Sequence, residues 1–194
     1  MLVCSPERRF QMQEQVVDPL YLATPLRFAD SGPVRQQSCL SGLREADTDR
    51  FPFVAIHDAA RPLVRVEDVE GAIARLREAD DLDGVVCGLP AVDTIKVCDD
   101  GAISDTPERS RCWQAQTPQV FPSAMALEAH ESAADDGFVG TDDASLVERL
   151  GGRVAMHSVG WGNAKVTVPQ DMVVAAAVLA HRGMAGPASG GEAR

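Results

Sequence analysis

The residues best suited to phosphate chemistry follow a short apolar run at residues 53–56. His57, Asp58 and Arg61 come directly after it, and a strand placed there would carry them at its carboxyl end, where open α/β sheets bind ligands. Asp58 could hold a metal ion or a substrate hydroxyl, and Arg61 could bind a phosphate or orient Asp58. An aspartate-capped turn with a structural Arg–Asp pair explains the two residues equally well. His57 fits a packed or hydrogen-bonding role, because no serine or cysteine nucleophile motif accompanies it.

Two further segments carry a basic residue at a position suited to binding an anionic ligand. Arg35 and Ser38 lie three residues apart near the start of a predicted helix at 33–46, so they share a face near its positive end, which suits an anionic or carbonyl-bearing ligand. An ordinary helix start explains this pair as well. Lys165 enters a predicted strand at 165–168, where a charge is unusual unless it points into a polar cleft. A lysine there can neutralise charge on transferring phosphates.

A predicted hairpin carries another candidate set. The Asp-Asp-Gly turn at 99–101 indicates a hairpin, and the segment around it, about 94–117, would project from the sheet as an arm. Thr94, Arg109 and Thr117 could form a phosphate-binding set, although a surface hairpin with solvated charges is the plainer interpretation. Exposed edges of this kind are commonly covered by a second subunit.

The elements that must position these side chains alternate between β-like and helical runs, which predicts an α/β sheet with crossover helices. Strands are predicted at 1–4, 53–56, 84–90, 111–117, 153–159 and 165–168. Helices are predicted at 33–46, 66–79, 123–134 and 142–150, with a last one from Pro169 to near Gly183. Thr141, at the start of the fourth helix, could simply cap it. We predict one domain over 1–182 and a flexible tail at 183–194.

Composition narrows the possible partners. Eighteen basic and 29 acidic side chains give a net charge of −11, which repels nucleic acid and anionic membranes. It also repels phosphorylated metabolites, so a phosphate site requires a local cluster of Arg and Lys. No apolar run approaches the ~18 residues of a membrane span, and the start lacks the blocks of a signal peptide. Five scattered cysteines fit a reduced, cytoplasmic protein better than disulfides or a metal cluster.

Six motifs occur in one order along the chain. They are Arg35-x-x-Ser38, His57-Asp58-Ala59-Ala60-Arg61-Pro62, Asp93-Thr94-Ile95-Lys96, Trp113-x-Ala115-Gln116-Thr117-Pro118-Gln119-x-Phe121, Thr141-Asp142-Asp143-Ala144-Ser145 and Asn163-x-Lys165-Val166-Thr167. Each is modest alone, but the ordered set, over roughly residues 1–181, resembles the 2-C-methyl-D-erythritol 4-phosphate cytidylyltransferases of the non-mevalonate isoprenoid pathway.

This resemblance implies a Rossmann-like, mostly parallel sheet and a reaction that joins CTP and 2-C-methyl-D-erythritol 4-phosphate, giving CDP-methylerythritol and pyrophosphate. It implies Mg²⁺ as the cofactor, held by Asp58, with catalytic roles for Lys165, Asp58 and Arg61. The residues that it assigns to the nucleotide are Arg35, Ser38 and Ala59. The residues that it assigns to the polyol phosphate, partly across a homodimer, are Thr94, Arg109, Thr117 and Thr141.

Two departures from the family pattern leave alternatives open. Pro33 stands where the family usually has an acidic residue, two before the motif arginine. The family also opens with a strand and a glycine-rich loop whose Arg and Lys hold the triphosphate, and residues 1–56 contain no such loop. We therefore expect little turnover from the chain as given, and a true start upstream of Met1. The alternatives are an inactive binding or dimerisation fragment of this family, and a ribitol-5-phosphate cytidylyltransferase.

Overall fold

The central strands form from short apolar runs, and the run Gly84–Pro90 is buried along most of its length, as expected for a strand covered on both faces. The computed structural model describes residues 1–185. Its strands are Leu2–Cys4 (β1), Phe28–Asp30 (β2), Phe53–Ile56 (β3), Gly84–Pro90 (β4), Val97–Asp99 (β5), Ala102–Asp105 (β6), Trp113–Pro122 (β7) and Val154–Ser158 (β8). Its α-helices are Arg9–Met12 (α1), Arg35–Arg44 (α2), Val66–Glu78 (α3), Ser123–Asp135 (α4), Asp143–Arg149 (α5) and Asp171–Ala185 (α6). Shorter helical turns follow Ser5, extend α1 as far as Leu20, and cover Arg109–Arg111.

The central sheet has four strands in the order β3-β7-β4-β8. Strands β3, β4 and β8 run in the same direction, because β7 is antiparallel to both β3 and β4 while β4 and β8 are parallel. A parallel pair, β1 and β2, packs against α2, and β5 and β6 form a separate antiparallel ribbon. The predicted α/β architecture with a mostly parallel sheet is confirmed.

Alternation along β4 builds a core on each face of this sheet. Val86 faces the helices α2, α4 and α5, where it packs with Phe121 of β7. Val85 and Cys87 face α3 on the other side. Helix α3 buries Ala72 and Leu76 there, four residues apart and therefore on one helical face. Both faces of the sheet are thus covered, and its strand ends are left to carry the functional loops.

Several element boundaries differ from the sequence predictions. The predicted strands at 53–56 and 84–90 are confirmed. The predicted strand at 165–168 is wrong: this segment is an irregular loop, in which Val166 N donates to Ala60 O (2.7 Å) and the N–H groups of Thr167 and Val168 donate to Asp171 Oδ2 (2.7 and 3.0 Å). Strand β7 continues past 117 to Pro122, because the edges of both β3 and β4 are available to pair with it. Helix α6 continues to Ala185, and the rest of the predicted tail, 186–194, lies outside the described residues.

The predicted hairpin is present as an exposed ribbon. Strands β5 and β6 pair across a turn at Asp100 and Gly101, both of which have positive φ (49° and 83°). Two left-handed residues in succession are typical of the tight turns that join antiparallel strands. Every residue of both strands is exposed.

Two findings bear on partners and setting. None of the helices within residues 1–185 is long and apolar enough to cross a bilayer. All five cysteines are free thiols, and burial raises the pKa of the Cys39 and Cys87 thiols to about 12.

Candidate functional site

The candidate site lies at the edge of the sheet where β3, β4 and β8 end. Strands that run in the same direction bring their carboxyl ends to one edge, which is the usual ligand side of an open α/β sheet. The loop 57–61 follows β3, and the loop 159–165 follows β8. The first half of β7 lies between them and the start of α5 lies beside them, as the hydrogen bonds below establish. The fold therefore gathers motifs that lie more than 100 residues apart in the sequence.

A chain of alternating charges runs through this edge. Lys165 Nζ donates to Asp58 Oδ2 (3.0 Å), and Arg35 Nε donates to Asp58 Oδ1 (2.9 Å). The Arg35 guanidinium also donates through Nη2 to Asp143 Oδ2 (2.7 Å). The side chains of Lys165 and Arg35 are about 40% exposed (43% and 39%), whereas that of Asp58 is 15% exposed. Two cations are thus held at the surface by one carboxylate between them.

The pKa values of the Asp58 and Asp143 carboxyl groups reflect these ion pairs. Burial raises the pKa of Asp58, but hydrogen bonds and charges from Arg35 and Lys165 outweigh it and hold that pKa below its usual range. Asp143 follows the same pattern, with His130 and Arg35 as the groups that lower its pKa against burial. For Arg61, burial lowers the pKa and the charge of Asp58 offsets only part of that effect. Both carboxyl groups are therefore ionised at neutral pH.

Asn163 fixes the two loops to each other and to β7. It is fully buried, and its Nδ2 donates to Thr117 O (2.8 Å) and to Gln116 Oε1 (3.0 Å). Its backbone carbonyl accepts from Arg61 Nη1 (2.9 Å). Arg61 is thereby oriented by the loop that carries Lys165, so the two cationic side chains are positioned together.

The Thr117 hydroxyl makes two hydrogen bonds within the protein. It accepts from the backbone N–H of Asp58 (3.0 Å) and lies 3.0 Å from His57 Nδ1. The other ring nitrogen of His57, Nε2, lies 3.1 Å from the carbonyl of Arg61, so it must carry the proton. Nδ1 and the Thr117 hydroxyl then share the other hydrogen bond of the ring. The expected hydrogen-bonding role of His57 is confirmed, and Thr117, 4% exposed, stabilises the Asp58 turn.

A buried glutamine clamps the start of α5. Gln119 Nε2 donates to Asp142 Oδ2 (2.8 Å), and its Oε1 accepts from Ala144 N (2.9 Å). Asp142 is the residue that caps α5, through Oδ1 to Ser145 N (3.0 Å), in a reciprocal capping box. Thr141, which could have been the cap, is exposed instead. The first residue of α5, Asp143, is thus placed to meet Arg35.

The other two residues predicted to bind the nucleotide, Ala59 and Ser38, lie near the charge chain of Lys165, Asp58 and Arg35 but differ in exposure. Ala59 is exposed, directly after Asp58. The Ser38 hydroxyl accepts from Gly32 N (3.0 Å) and donates to Val34 O (3.2 Å), so it fixes the turn that precedes α2. Gly32 is required there, because a Cβ atom at this position would lie 2.5 Å from Gln37 Cβ.

Within residues 1–185, no hydrogen bond or ion pair joins Thr94 or Arg109 of the arm to the charge chain. Thr94 and Arg109 are exposed. Arg109 Nη1 donates to the backbone carbonyl of Val92 (3.0 Å), which holds the base of the arm. Of the four predicted residues, the structure brings only Thr117 into contact with the Asp58 loop.

A magnesium ion fits this site if one ligand comes from Asp58 and the others come from substrate phosphates and water. Among the described residues there is no group of three or more His, Cys, Asp or Glu side chains that could hold a metal. Mg²⁺ is commonly bound by one or two carboxylates together with substrate phosphates and water. Asp58, 15% exposed, can supply one such carboxylate, so the site fits an ion that arrives with a triphosphate.

Sequence reasoning assigned no role to four buried polar residues: Gln119, His130, Asp143 and Asn163. All are at most 2% exposed. A capping signal was visible in Asp142-x-x-Ser145, and Gln119 interrupts an apolar run. No local signal, however, indicates which distant groups these side chains meet.

Comparison with known proteins gives one consistent result. A family model described as 2-C-methyl-D-erythritol 4-phosphate cytidylyltransferase matches residues 1–181. A curated protein of that name from Caldanaerobacter subterraneus is 42% identical over 176 residues, which are 90% of this chain and 76% of the relative. Another, from Geobacter metallireducens, is 43% identical over 88% of this chain and 73% of its own length. The chain therefore spans about three quarters of these relatives.

Solved structures agree. The 4-diphosphocytidyl-2C-methyl-D-erythritol synthase of Anaerococcus prevotii superposes with a TM-score of 0.82 at 26% identity, covering 92% of this chain and 77% of that protein. The 2-C-methyl-D-erythritol 4-phosphate cytidylyltransferase of Thermus thermophilus gives a TM-score of 0.66 at 34% identity, with 81% and 78% covered. The Rossmann-like architecture is confirmed.

Proposed function

Because the chain belongs to the 2-C-methyl-D-erythritol 4-phosphate cytidylyltransferase family, we propose that its chemistry takes place along the charge chain of Lys165, Asp58 and Arg35. The family transfers the cytidylyl group of CTP in isoprenoid biosynthesis. The products are CDP-methylerythritol and pyrophosphate. Relatives named for methylerythritol phosphate favour this activity over ribitol-5-phosphate transfer and over a fragment that only binds.

Lys165 and Arg61 neutralise the charge that develops during transfer. A phosphate oxygen of the polyol phosphate attacks the α-phosphorus of CTP, and a new P–O bond forms. The bond to the bridging oxygen breaks, and its electron pair leaves with pyrophosphate. Such reactions depend on positioning and on electrostatic stabilisation, and both cations are held by groups already on this edge: Lys165 by Asp58 (3.0 Å) and Arg61 by the Asn163 carbonyl (2.9 Å).

The nucleotide lies on the Arg35 side of Asp58. Arg35 is fixed by two carboxylates yet is 39% exposed, so its guanidinium can reach a ligand without being reorganised. Ser38 orders the turn before α2, and the exposed backbone at Ala59 is open to the cytidine. Since the hydroxyl of Ser38 bonds to Gly32 and Val34, Ser38 acts on the nucleotide indirectly, through the shape of the turn before α2.

Asp58 supplies the protein ligand for Mg²⁺. When bound, the ion would draw charge from the triphosphate and favour departure of pyrophosphate. Asp58 keeps its negative charge at neutral pH because its two cationic neighbours lower its pKa against the effect of burial. An ionised, partly exposed carboxylate is the group that such an ion requires.

The arm completes the polyol-phosphate site in a homodimer. Among the described residues, no hydrogen bond or ion pair joins Thr94 or Arg109 to the charge chain of its own protomer, and a two-stranded ribbon is marginally stable when it stands alone. A second copy that covers β5 and β6 would remove that exposed edge and could bring Arg109 to the partner's Thr141. Deletion of 98–105 should convert the dimer to a monomer in light scattering. An unchanged dimer would contradict this role of the arm.

A cytoplasmic setting completes the proposal. Five free cysteines suit a reducing compartment, and both substrates are metabolites of the cell interior.

The observation that carries the proposal is the Lys165–Asp58–Arg35 chain, and pyrophosphate release tests it. The assay is run with CTP, 2-C-methyl-D-erythritol 4-phosphate and Mg²⁺ on the chain and on an N-terminally extended chain. Ribitol 5-phosphate serves as the competing substrate. Lys165→Ala should abolish release, whereas Arg44→Ala, at an exposed arginine that pairs with Glu131 away from the site, controls for loss of a charge. Release with ribitol 5-phosphate alone, or equal activity of the two variants, would overturn the proposal.

A further inference from the structure

One buried pair of ionisable side chains lies behind the charge chain. His130 of α4 and Asp143 of α5 are 1% and 2% exposed at their side chains, and His130 Nε2 lies 3.2 Å from Asp143 Oδ1. This is ion-pair distance without hydrogen-bond geometry. Within residues 1–185, neither ring nitrogen of His130 has a hydrogen-bond partner. No group in the same residues donates a hydrogen bond to Asp143 Oδ1. Buried polar atoms normally have partners, so each member of the pair has the other as its available neighbour.

This pair is connected to the exposed part of the site. The second oxygen of Asp143, Oδ2, accepts from Arg35 Nη2 (2.7 Å), and Arg35 Nε donates to Asp58 (2.9 Å). The Asp143 carboxylate therefore has one oxygen toward the core and one toward the nucleotide side. If nothing held the core-side oxygen, the carboxylate could rotate and Arg35 would lose one of its two anchors.

We propose that His130 is a positioning residue, which holds the Asp143 carboxylate in the orientation that keeps the Arg35 guanidinium at the nucleotide site. An N–H at Nε2, 3.2 Å from Asp143 Oδ1, attracts that oxygen electrostatically without an aligned hydrogen bond. The role rests on the proposed nucleotide function of Arg35. A packing role would differ in one respect, because any apolar side chain of similar volume would then serve equally well.

Two substitutions separate these roles. His130→Gln keeps an N–H donor, and His130→Leu keeps the volume without the donor; His130→Met repeats the apolar case if the leucine variant does not fold. One measurement needs neither turnover nor ligand: exchange of the Arg35 Nε–H proton followed by NMR, with the resonance identified by its loss in Arg35→Lys. The second is the dissociation constant for CTP by calorimetry, beside that for the polyol phosphate.

We expect His130→Leu to speed exchange of the Arg35 Nε–H about tenfold and to weaken CTP binding by about threefold to tenfold, as for partial loss of a charge-assisted contact. Polyol-phosphate binding should not change, and His130→Gln should stay within about twofold of the wild type by the same reasoning. Equal behaviour of the leucine and glutamine variants, or changes in thermal stability alone, would overturn the role. If the wild type fails to bind CTP, the proposed function fails, while the exchange rates still decide the role of His130.

Discussion

Asp58→Asn is the sharpest perturbation of the charge chain. Each oxygen of Asp58 accepts from a different cation, Lys165 Nζ at 3.0 Å and Arg35 Nε at 2.9 Å. Asparagine keeps one oxygen and turns an NH₂ group toward the other cation, which has no lone pair to accept from it. One charge-assisted hydrogen bond, worth about 1.5–3 kcal/mol, is lost and the other becomes a weaker bond to a neutral acceptor.

Solvent reduces that loss, because Lys165 and Arg35 are 43% and 39% exposed and exposed ion pairs contribute little. We therefore expect a loss of about 1–2 kcal/mol in the free energy of unfolding. In a domain of this size the loss lowers Tm by roughly 2–8 °C. The second effect concerns the metal: without the carboxylate, the factor by which Mg²⁺ tightens CTP binding should fall about tenfold, equivalent to one contact of about 1.4 kcal/mol.

Thermal unfolding and calorimetry with CTP, each with and without Mg²⁺, measure both effects. Asp136→Asn is the matched control, since it removes the same charge from an exposed carboxylate. Asp136 lies at the end of α4 and pairs with Arg149 of α5. The control should change stability by less than about 0.5 kcal/mol and leave the magnesium effect intact. If Asp58→Asn behaves like the control in both measurements, the central role of Asp58 is refuted.

Three further predictions concern other parts of the site. Gln119→Leu leaves the buried N–H of Ala144 and the half-buried carboxylate of Asp142 without this partner, so urea unfolding should show a loss of about 2–4 kcal/mol; an unchanged midpoint would contradict the clamp. Burial raises the pKa of Asp143, but the side chains that pair with it outweigh burial, so its folded pKa lies below the unfolded value of about 3.9. Its contribution to stability is therefore complete above about pH 4 and lost as the pH falls through the folded pKa; a plot of Tm against pH should be flatter on the acid side for Asp143→Asn, and parallel curves would count against the pair. Arg109→Ala should weaken polyol-phosphate binding by about ten- to a hundredfold and spare CTP, whereas calorimetry that shows CTP binding lost instead would reverse the assignment.

The sequence by itself determined the fold class and the position of the Asp58 loop. Continuous apolar runs at 53–56 and 84–90 become strands as written, because short apolar runs of this length favour strands over helices. The turn at Asp100 and Gly101 was also readable, since few residues adopt two successive positive φ angles. The ordered motifs likewise indicated the family, because many modest matches in one order rarely coincide.

Only the tertiary structure decided which of these residues touch. The segment 165–168 has the composition of a strand, but it forms a loop because two bonds tie it to the Asp58 loop, one from Arg61 to the Asn163 carbonyl and one from Val166 N to Ala60 O. Thr117 is predicted to bind a phosphate, and the structure adds that its hydroxyl bonds to His57 and to the backbone of Asp58. Asp143, 108 residues from Arg35 along the chain, became a partner only through the packing of α5. Hydrogen bonds of this kind depend on distances between elements, and local residue patterns carry no information about those distances.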